Sequence, residues 1–485
     1  MRAMRNPTVL LGALLLTLSA QAAELQACRL RGVEHEALCG VIQRPLDPAR
    51  PQGVQVDVHF AVLPALARNK LPDPMFFFAG GPGQSAIEIA AAVGALLGRF
   101  SNRRDIVLID QRGVGKSAPL VCEADDPARP LAEQFDPERQ RVQQARCFEQ
   151  LKALPYGDLR FFTTTIAMAD AEAVRAALGA EKINLVGGSY GTRAVLEYQR
   201  QFPQQVRRAV IDGVAPPDMV LPASFSSDNQ AALDALFVAC EQDKGCAARE
   251  PQLAQRWRAL LAALPRAVTL VHPLTGRSEA LELTRPMLLG MVRGPLYAPA
   301  LAAALPAAIG EATRGRFEPL AGVATAFGGR RGAQIAAGMH FAVVCAEDFP
   351  RLARSTDKPG ADFGGAFATL YDEVCPTVAR GAVPDAFYTM PPARAATLVL
   401  SGGLDPVTPP RHGERAAQAL GAKARHVVVP NAGHGVMGIG CMRDVLYRFV
   451  DAVTDDEALK VDAACVTAIP RPPMFAPMVL PAVAR

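Results

Sequence analysis

The sequence has no dense block of lysine or arginine: 51 basic residues against 47 acidic ones leave a formal net charge of +4, spread along 485 residues. Such a distribution gives no electrostatic footprint for nucleic acid or for an anionic membrane surface. Beyond the N-terminal segment no stretch approaches the roughly 20 uninterrupted apolar residues of a membrane helix, so stable membrane insertion is not expected. There are no paired CxxC knuckles, and none of the 7 histidines stands at finger spacing from a cysteine, which argues against a zinc site. No internal repeat and no low-complexity linker interrupts the chain. What remains, 50% hydrophobic and 20% charged residues, is the balance of a globular protein with a substantial core.

The first residues read as an export leader. Arg2 and Arg5 precede an apolar run over 9–18 and the small-residue set Ala20, Gln21, Ala22, so cleavage after Ala22 and a periplasmic or secreted mature protein are expected. Leu25-Gln26-Ala27-Cys28 also loosely resembles a lipid-attachment box. The 10 cysteines of an exported chain are best read as disulfides. Their spacing invites nearest-neighbour pairs: Cys28 with Cys39, Cys122 with Cys147, Cys240 with Cys246, Cys345 with Cys375, and Cys441 with Cys465.

Short apolar runs bounded by turn residues predict strands over 74–79, 105–109, 183–186, 209–211, 396–400 and 426–429. Helical periodicity lies between them, over 171–178 and 192–202. This alternation argues for an α/β architecture, a mostly parallel sheet with helices on both faces. It breaks at Ala215-Pro216-Pro217 and resumes at Ala396. The intervening segment reads mostly as helices, among them 229–240, 251–264 and 299–314, the last kinked at Pro306. The expected organisation is therefore a leader (1–22), a first core part (23–214), an inserted helical cap (215–392) and a second core part (393–485). The proline-rich tail after Ile469 reads as an extended surface strap.

Gly187-Gly188-Ser189-Tyr190-Gly191 is a GxSxG elbow at a strand-to-helix turn, where glycines let the backbone hold a serine in an exposed, strained conformation. A serine hydroxyl attacks poorly unless a base removes its proton, so a carboxylate and a histidine must follow in that chain order. Asp405 lies just past the 396–400 strand and His434 just past 426–429, each at the carboxyl end of a parallel strand. His426 and His412 read as structural or surface groups. Tyr190 supplies one backbone N–H to an oxyanion hole, and the loop Ala79-Gly80-Gly81-Pro82-Gly83 supplies another, from Gly81 first and Gly80 next. Gly115-Lys116-Ser117 ends like a phosphate loop, but Asp110 stands where that motif needs its first glycine, so the segment reads as a turn with Asp110 and Arg112 buried or paired.

Together AGGPG (79–83), DQRGVGKS (110–117), GGSYG (187–191), SGGLDPVTP (401–409) and NAGHG (431–435) resemble the proline iminopeptidase and tripeptidyl aminopeptidase family of serine exopeptidases with the α/β-hydrolase fold. Ala79 departs from proline iminopeptidases, which carry His there, and the cysteines bring the chain nearer the secreted tripeptidyl aminopeptidase branch. The resemblance implies a peptide substrate with a free N-terminus, release of residues or short peptides, and no cofactor. It also implies that an acidic group near the cap holds the substrate ammonium, for which Glu347 in Cys345-Ala346-Glu347-Asp348 is the candidate. An exported carboxylesterase or lipase would use the same triad, and a non-catalytic binding protein on this fold is the third reading.

Overall fold

The computed structural model describes residues 24–328 and 334–476; the expected leader and the tail from Pro477 lie outside the described residues. Three strands stand outside the runs from which strands are expected: β1 (Gln26–Cys28), β2 (Ala37–Pro45) and β3 (Gln55–Leu63), each antiparallel to the next. The first half of β3 alternates exposed Gln55 and Asp57 with buried Val56 and Val58, the period-2 pattern of a half-solvated strand. Further strands are β4 (Met75–Phe78), β5 (Ile106–Ile109), β6 (Ile183–Gly188), β7 (Val206–Asp212), β8 (Arg266–Val271), β9 (Ser278–Leu283), β10 (Ala396–Gly402) and β11 (Ala424–Val429). Among the described residues nine of them form one sheet in the order β1-β2-β3-β5-β4-β6-β7-β10-β11, parallel from β5 onward.

Residues of β4 show how the sheet is buried. Met75 and Phe77 join the core beneath the helix Met442–Asp451, while Phe76 and Phe78 join the core under the helices Thr164–Ala177 and Tyr190–Gln201. Burying each such side chain is worth about 1.5–3 kcal/mol, which fixes the register, because a one-residue slip would exchange the two faces. Asp110 and Arg112, just past β5, are buried: Asp110 accepts from Ser85 Oγ (2.7 Å), and Arg112 donates to Asp170 Oδ2 (2.7 Å).

Between β7 and β10 the chain builds a second apolar core around fully buried Trp257, Leu288, Leu305 and Ile309. Its helices include Leu221–Gln242 and Arg285–Leu296, and the β8–β9 hairpin departs from the helical pattern expected there; the helix Ala337–Glu347 packs instead in a separate cluster with Leu120, Phe148 and Tyr190. The helix expected over 299–314 is two pieces, Pro299–Ala302 and Leu305–Thr313. Pro306 sits in the first turn of the second, where its missing N–H has no partner to lose. The cysteines pair as Cys28–Cys39, Cys122–Cys147, Cys240–Cys246, Cys345–Cys375 and Cys441–Cys465. No helix among the described residues is long and apolar enough to cross a membrane.

Candidate active site

Ser189 stands between the end of β6 and the helix Tyr190–Gln201 with φ 55° and ψ −126°, a conformation uncommon for a residue with a Cβ. Its neighbours enforce it. Ser189 N donates to Asp212 O (2.9 Å), and Ser189 O accepts from Thr192 N (2.9 Å) and Thr192 Oγ1 (2.6 Å). A Cβ on Gly191 would collide with Phe78 O and one on Gly187 with Gly191 O, so both glycines are required by space.

The loop after β4 closes on this turn. A Cβ at Gly80 would lie 3.2 Å from Ser189 Cβ. Gly80 N–H is taken by Gln84 Oε1 (3.1 Å), which leaves Gly81, at φ +111°, as the residue of that pair with its N–H free of any partner among the described residues. Tyr190 N–H opens its helix, where no intrahelical acceptor exists.

Asp405 and His434 are brought together from the ends of β10 and β11. Asp405 Oδ1 accepts from Val407 N and Thr408 N (both 2.9 Å), and Oδ2 accepts from Thr408 Oγ1 (2.7 Å) and His434 Nδ1 (2.8 Å). Burial alone would raise this carboxylate, but the His434 charge and hydrogen bond, with the backbone N–H groups of Thr408 and Val407, hold it below its ordinary range. Burial disfavours a charged His434, but the Asp405 charge and hydrogen bond, helped by Asp212, outweigh it and raise the imidazole. The Asp405 side chain is wholly enclosed, whereas His434 keeps 17% exposure, so the far edge of the ring stays reachable.

A Cβ at Gly213, which has φ +65°, would lie 3.1 Å from His434 Cε1. His434 therefore packs over the Asp212–Gly213 turn that also receives Ser189 N. From the segment between β7 and β10, Tyr297 O accepts His434 N–H (3.0 Å) and the Tyr297 ring meets the imidazole edge-on at 5.3 Å. On the other side Ala336 N donates to Gly83 O (2.8 Å).

Glu347 is the correction. Expected beside the cleft to hold an ammonium, its side chain is fully enclosed, accepting from Thr164 N (2.7 Å), Thr164 Oγ1 (3.0 Å) and Arg193 (3.3 Å). Asp348 likewise grips Arg193, at 2.8 and 3.1 Å. Arg193 extends from the helix behind Ser189 into the buried interior, where the ion pair with Asp348 and the further acceptor oxygen of Glu347 make its burial tolerable. Thr408, Asp212 and Tyr297 are site residues that sequence reasoning missed. A Thr three residues after an Asp is a turn-stabilising pattern and could have flagged Thr408. Asp212 at a strand's carboxyl end could have been flagged in the same way.

Residues 73–272 match the alpha/beta hydrolase fold family, and residues 362–463 match the family of TAP-like proteins. The fold is that of the α/β-hydrolases. Serine protease Hip1 of Mycobacterium tuberculosis is 35% identical over 195 residues, 38% of this chain and 36% of Hip1. Tripeptidyl aminopeptidase of Streptomyces lividans is 33% identical over 196 residues, 37% of this chain and 35% of that enzyme. Proline iminopeptidase of Neisseria meningitidis is 30% identical over 142 residues, 29% of this chain and 32% of that enzyme. The chain thus spans about a third of the length of these curated relatives. The resemblance carried by the five motifs is borne out by these matches. On this fold the candidate triad stands at the carboxyl edge of the parallel sheet.

Proposed function

We propose that the chain is an exported serine peptidase acting on free N-termini, with Ser189 as nucleophile, His434 as general base and Asp405 as the acid that orients it. The observation that carries this reading is the Asp405–His434 pair at 2.8 Å, set over the turn that holds the Ser189 elbow. His434 takes the Ser189 proton as Oγ attacks the scissile carbonyl, and the imidazolium then protonates the leaving amine. Gly81 and Tyr190 N–H groups hold the oxyanion. Water releases the acyl-enzyme by the same steps in reverse, with no cofactor. The segment 215–392 acts as a cap, touching the His434 loop through Tyr297 and the Gly81–Gly83 loop through Ala336.

The aminopeptidase part of the reading rests on the relatives' names and on the matched TAP-like segment. One observation favours a carboxylesterase instead: Glu347 and Asp348 are already paired with Arg193 and offer no free charge to a substrate ammonium. A fluorophosphonate probe should label wild type at Ser189, and Ser189→Ala should lose the label and lower turnover on the order of 10⁴-fold. Turnover of tripeptidyl amides with free and acetylated amino groups, beside a neutral ester, separates the readings. Preference for the free amine supports the peptidase, and preference for the ester or the acetylated peptide replaces it.

A further inference from the structure

Asp212 ends β7 and is 2% exposed. Its main-chain oxygen receives Ser189 N–H (2.9 Å), and its carboxylate Oδ2 receives the N–H groups of Val436 (2.7 Å) and Met437 (2.8 Å), in the turn that follows His434. One residue therefore touches the backbone of the candidate nucleophile and the loop of the candidate base. Its other oxygen, Oδ1, is buried without a hydrogen-bond partner among the described residues. A buried carboxylate oxygen left without a protein partner is costly, and a purely structural role for the two N–H groups would be met as well by an amide. The charge itself calls for an explanation.

We propose that Asp212 is a positioning residue of the catalytic base, a second carboxylate that fixes the His434 turn and whose charge supports the imidazolium formed during acyl transfer. The inference rests on the Ser189–His434 reading of the site. The charged and titratable groups around the ring are Asp405 from the loop after β10, Asp212 from β7, and Tyr297, itself beside Arg293, from the cap. Burial pushes Asp212 up to about 6, with its two backbone hydrogen bonds and His434 opposing, while the Asp212 charge in turn raises His434, so the two titrations are linked. Near neutral pH Asp212 is ionised and raises His434 together with Asp405.

Asparagine at 212 keeps a carbonyl acceptor for Val436 and Met437 and deletes only the charge. The imidazole then holds its proton less tightly, and the acid limb of reactivity moves to lower pH. The readout is the second-order rate of fluorophosphonate labelling of the full chain against pH, which needs no assumption about the natural substrate. Asp212→Asn should shift the acid limb down by on the order of one pH unit, with a plateau rate lowered about 3- to 30-fold. Asp212→Ser serves as a second neutral variant, and thermal melting establishes which variants fold.

A folded neutral variant whose acid limb stays at the wild-type pH overturns the proposal, because a residue that merely holds the turn would change the rate and leave the limb in place. Failure of both neutral variants to fold also overturns it, making Asp212 a residue of the fold alone. Ser189→Ala run alongside keeps the two readings apart. If it still takes the label, the assignment of the nucleophile fails; if it is silent while the limb stays fixed, only the role of Asp212 fails.

Discussion

A carboxyl group walled off from water keeps its proton longer than one on an unfolded chain, and Glu347 is such a group. Burial pushes it up to about 7, with Asp348 adding to the effect and Arg193 and Thr164 opposing it. Between its ordinary value near 4.5 and 7, the folded chain holds a proton that the unfolded chain has already released. Stability therefore falls as pH rises through that window. Glu347→Gln should remove this dependence. The wild type should lose on the order of 2 kcal/mol of unfolding free energy relative to the variant between pH 5 and pH 7.5, read from denaturant titrations of both proteins. Asp212 shifts in the same direction but is present in both proteins and cancels in the difference. Parallel curves would show that Glu347 is ionised throughout and that Arg193 governs it.

At the scale of elements, the segment between β7 and β10 meets the candidate catalytic edge at several points, and Tyr297 is one of them. Its main-chain oxygen holds His434 N–H whatever the side chain, so Tyr297→Ala isolates the ring, which packs against both His434 and Phe327. An edge-to-face pair is worth about 0.5–1.5 kcal/mol beyond burial, so kcat should drop roughly 3- to 10-fold with KM for a small ester little changed. A rise in KM alone would place the ring in substrate binding and not in setting the imidazole.

The parallel strands were legible in the sequence because strands buried on both faces are continuous apolar runs, as in Ile106–Ile109 and Met75–Phe78. β1 and β2 were not, since their partly exposed residues make no such run; β3 ends in the run Phe60-Ala61-Val62-Leu63, which was missed, and the β8–β9 hairpin hid behind its exposed Glu282 and Arg266. The candidate triad was readable because each member sits in a local motif at a strand end. Asp212 and Tyr297 were not, because their roles depend on partners distant in sequence, such as Met437, 225 positions from Asp212. The pairing of Glu347 escaped for the same reason: nothing local in the sequence announces that Arg193 is enclosed.

For the whole molecule, exposure ranks the disulfides. Cys465 is exposed, whereas Cys345, Cys375, Cys240 and Cys246 are all buried. Mild reductant under native conditions should therefore open Cys441–Cys465 before Cys345–Cys375 or Cys240–Cys246, as timed alkylation and peptide mapping would record. Simultaneous release of all bridges would instead mean that reduction waits for global unfolding. The Cys441–Cys465 loop spans 24 residues and is worth about 3 kcal/mol in the chain-entropy model, so its opening should also lower the melting temperature.

The extended strap after that bridge bears on when the molecule is finished. Ile469 O accepts from Asn431 Nδ2 (2.9 Å), three residues before His434, and Phe475 N donates to Ala303 O (2.9 Å) in the segment between β7 and β10. A ribosome delivers Ser189 long before His434, and the strap later still. A chain emerging from synthesis thus carries the candidate nucleophile without its candidate base, and the Ala303 segment without its contact to Phe475, until residues 431–475 have followed.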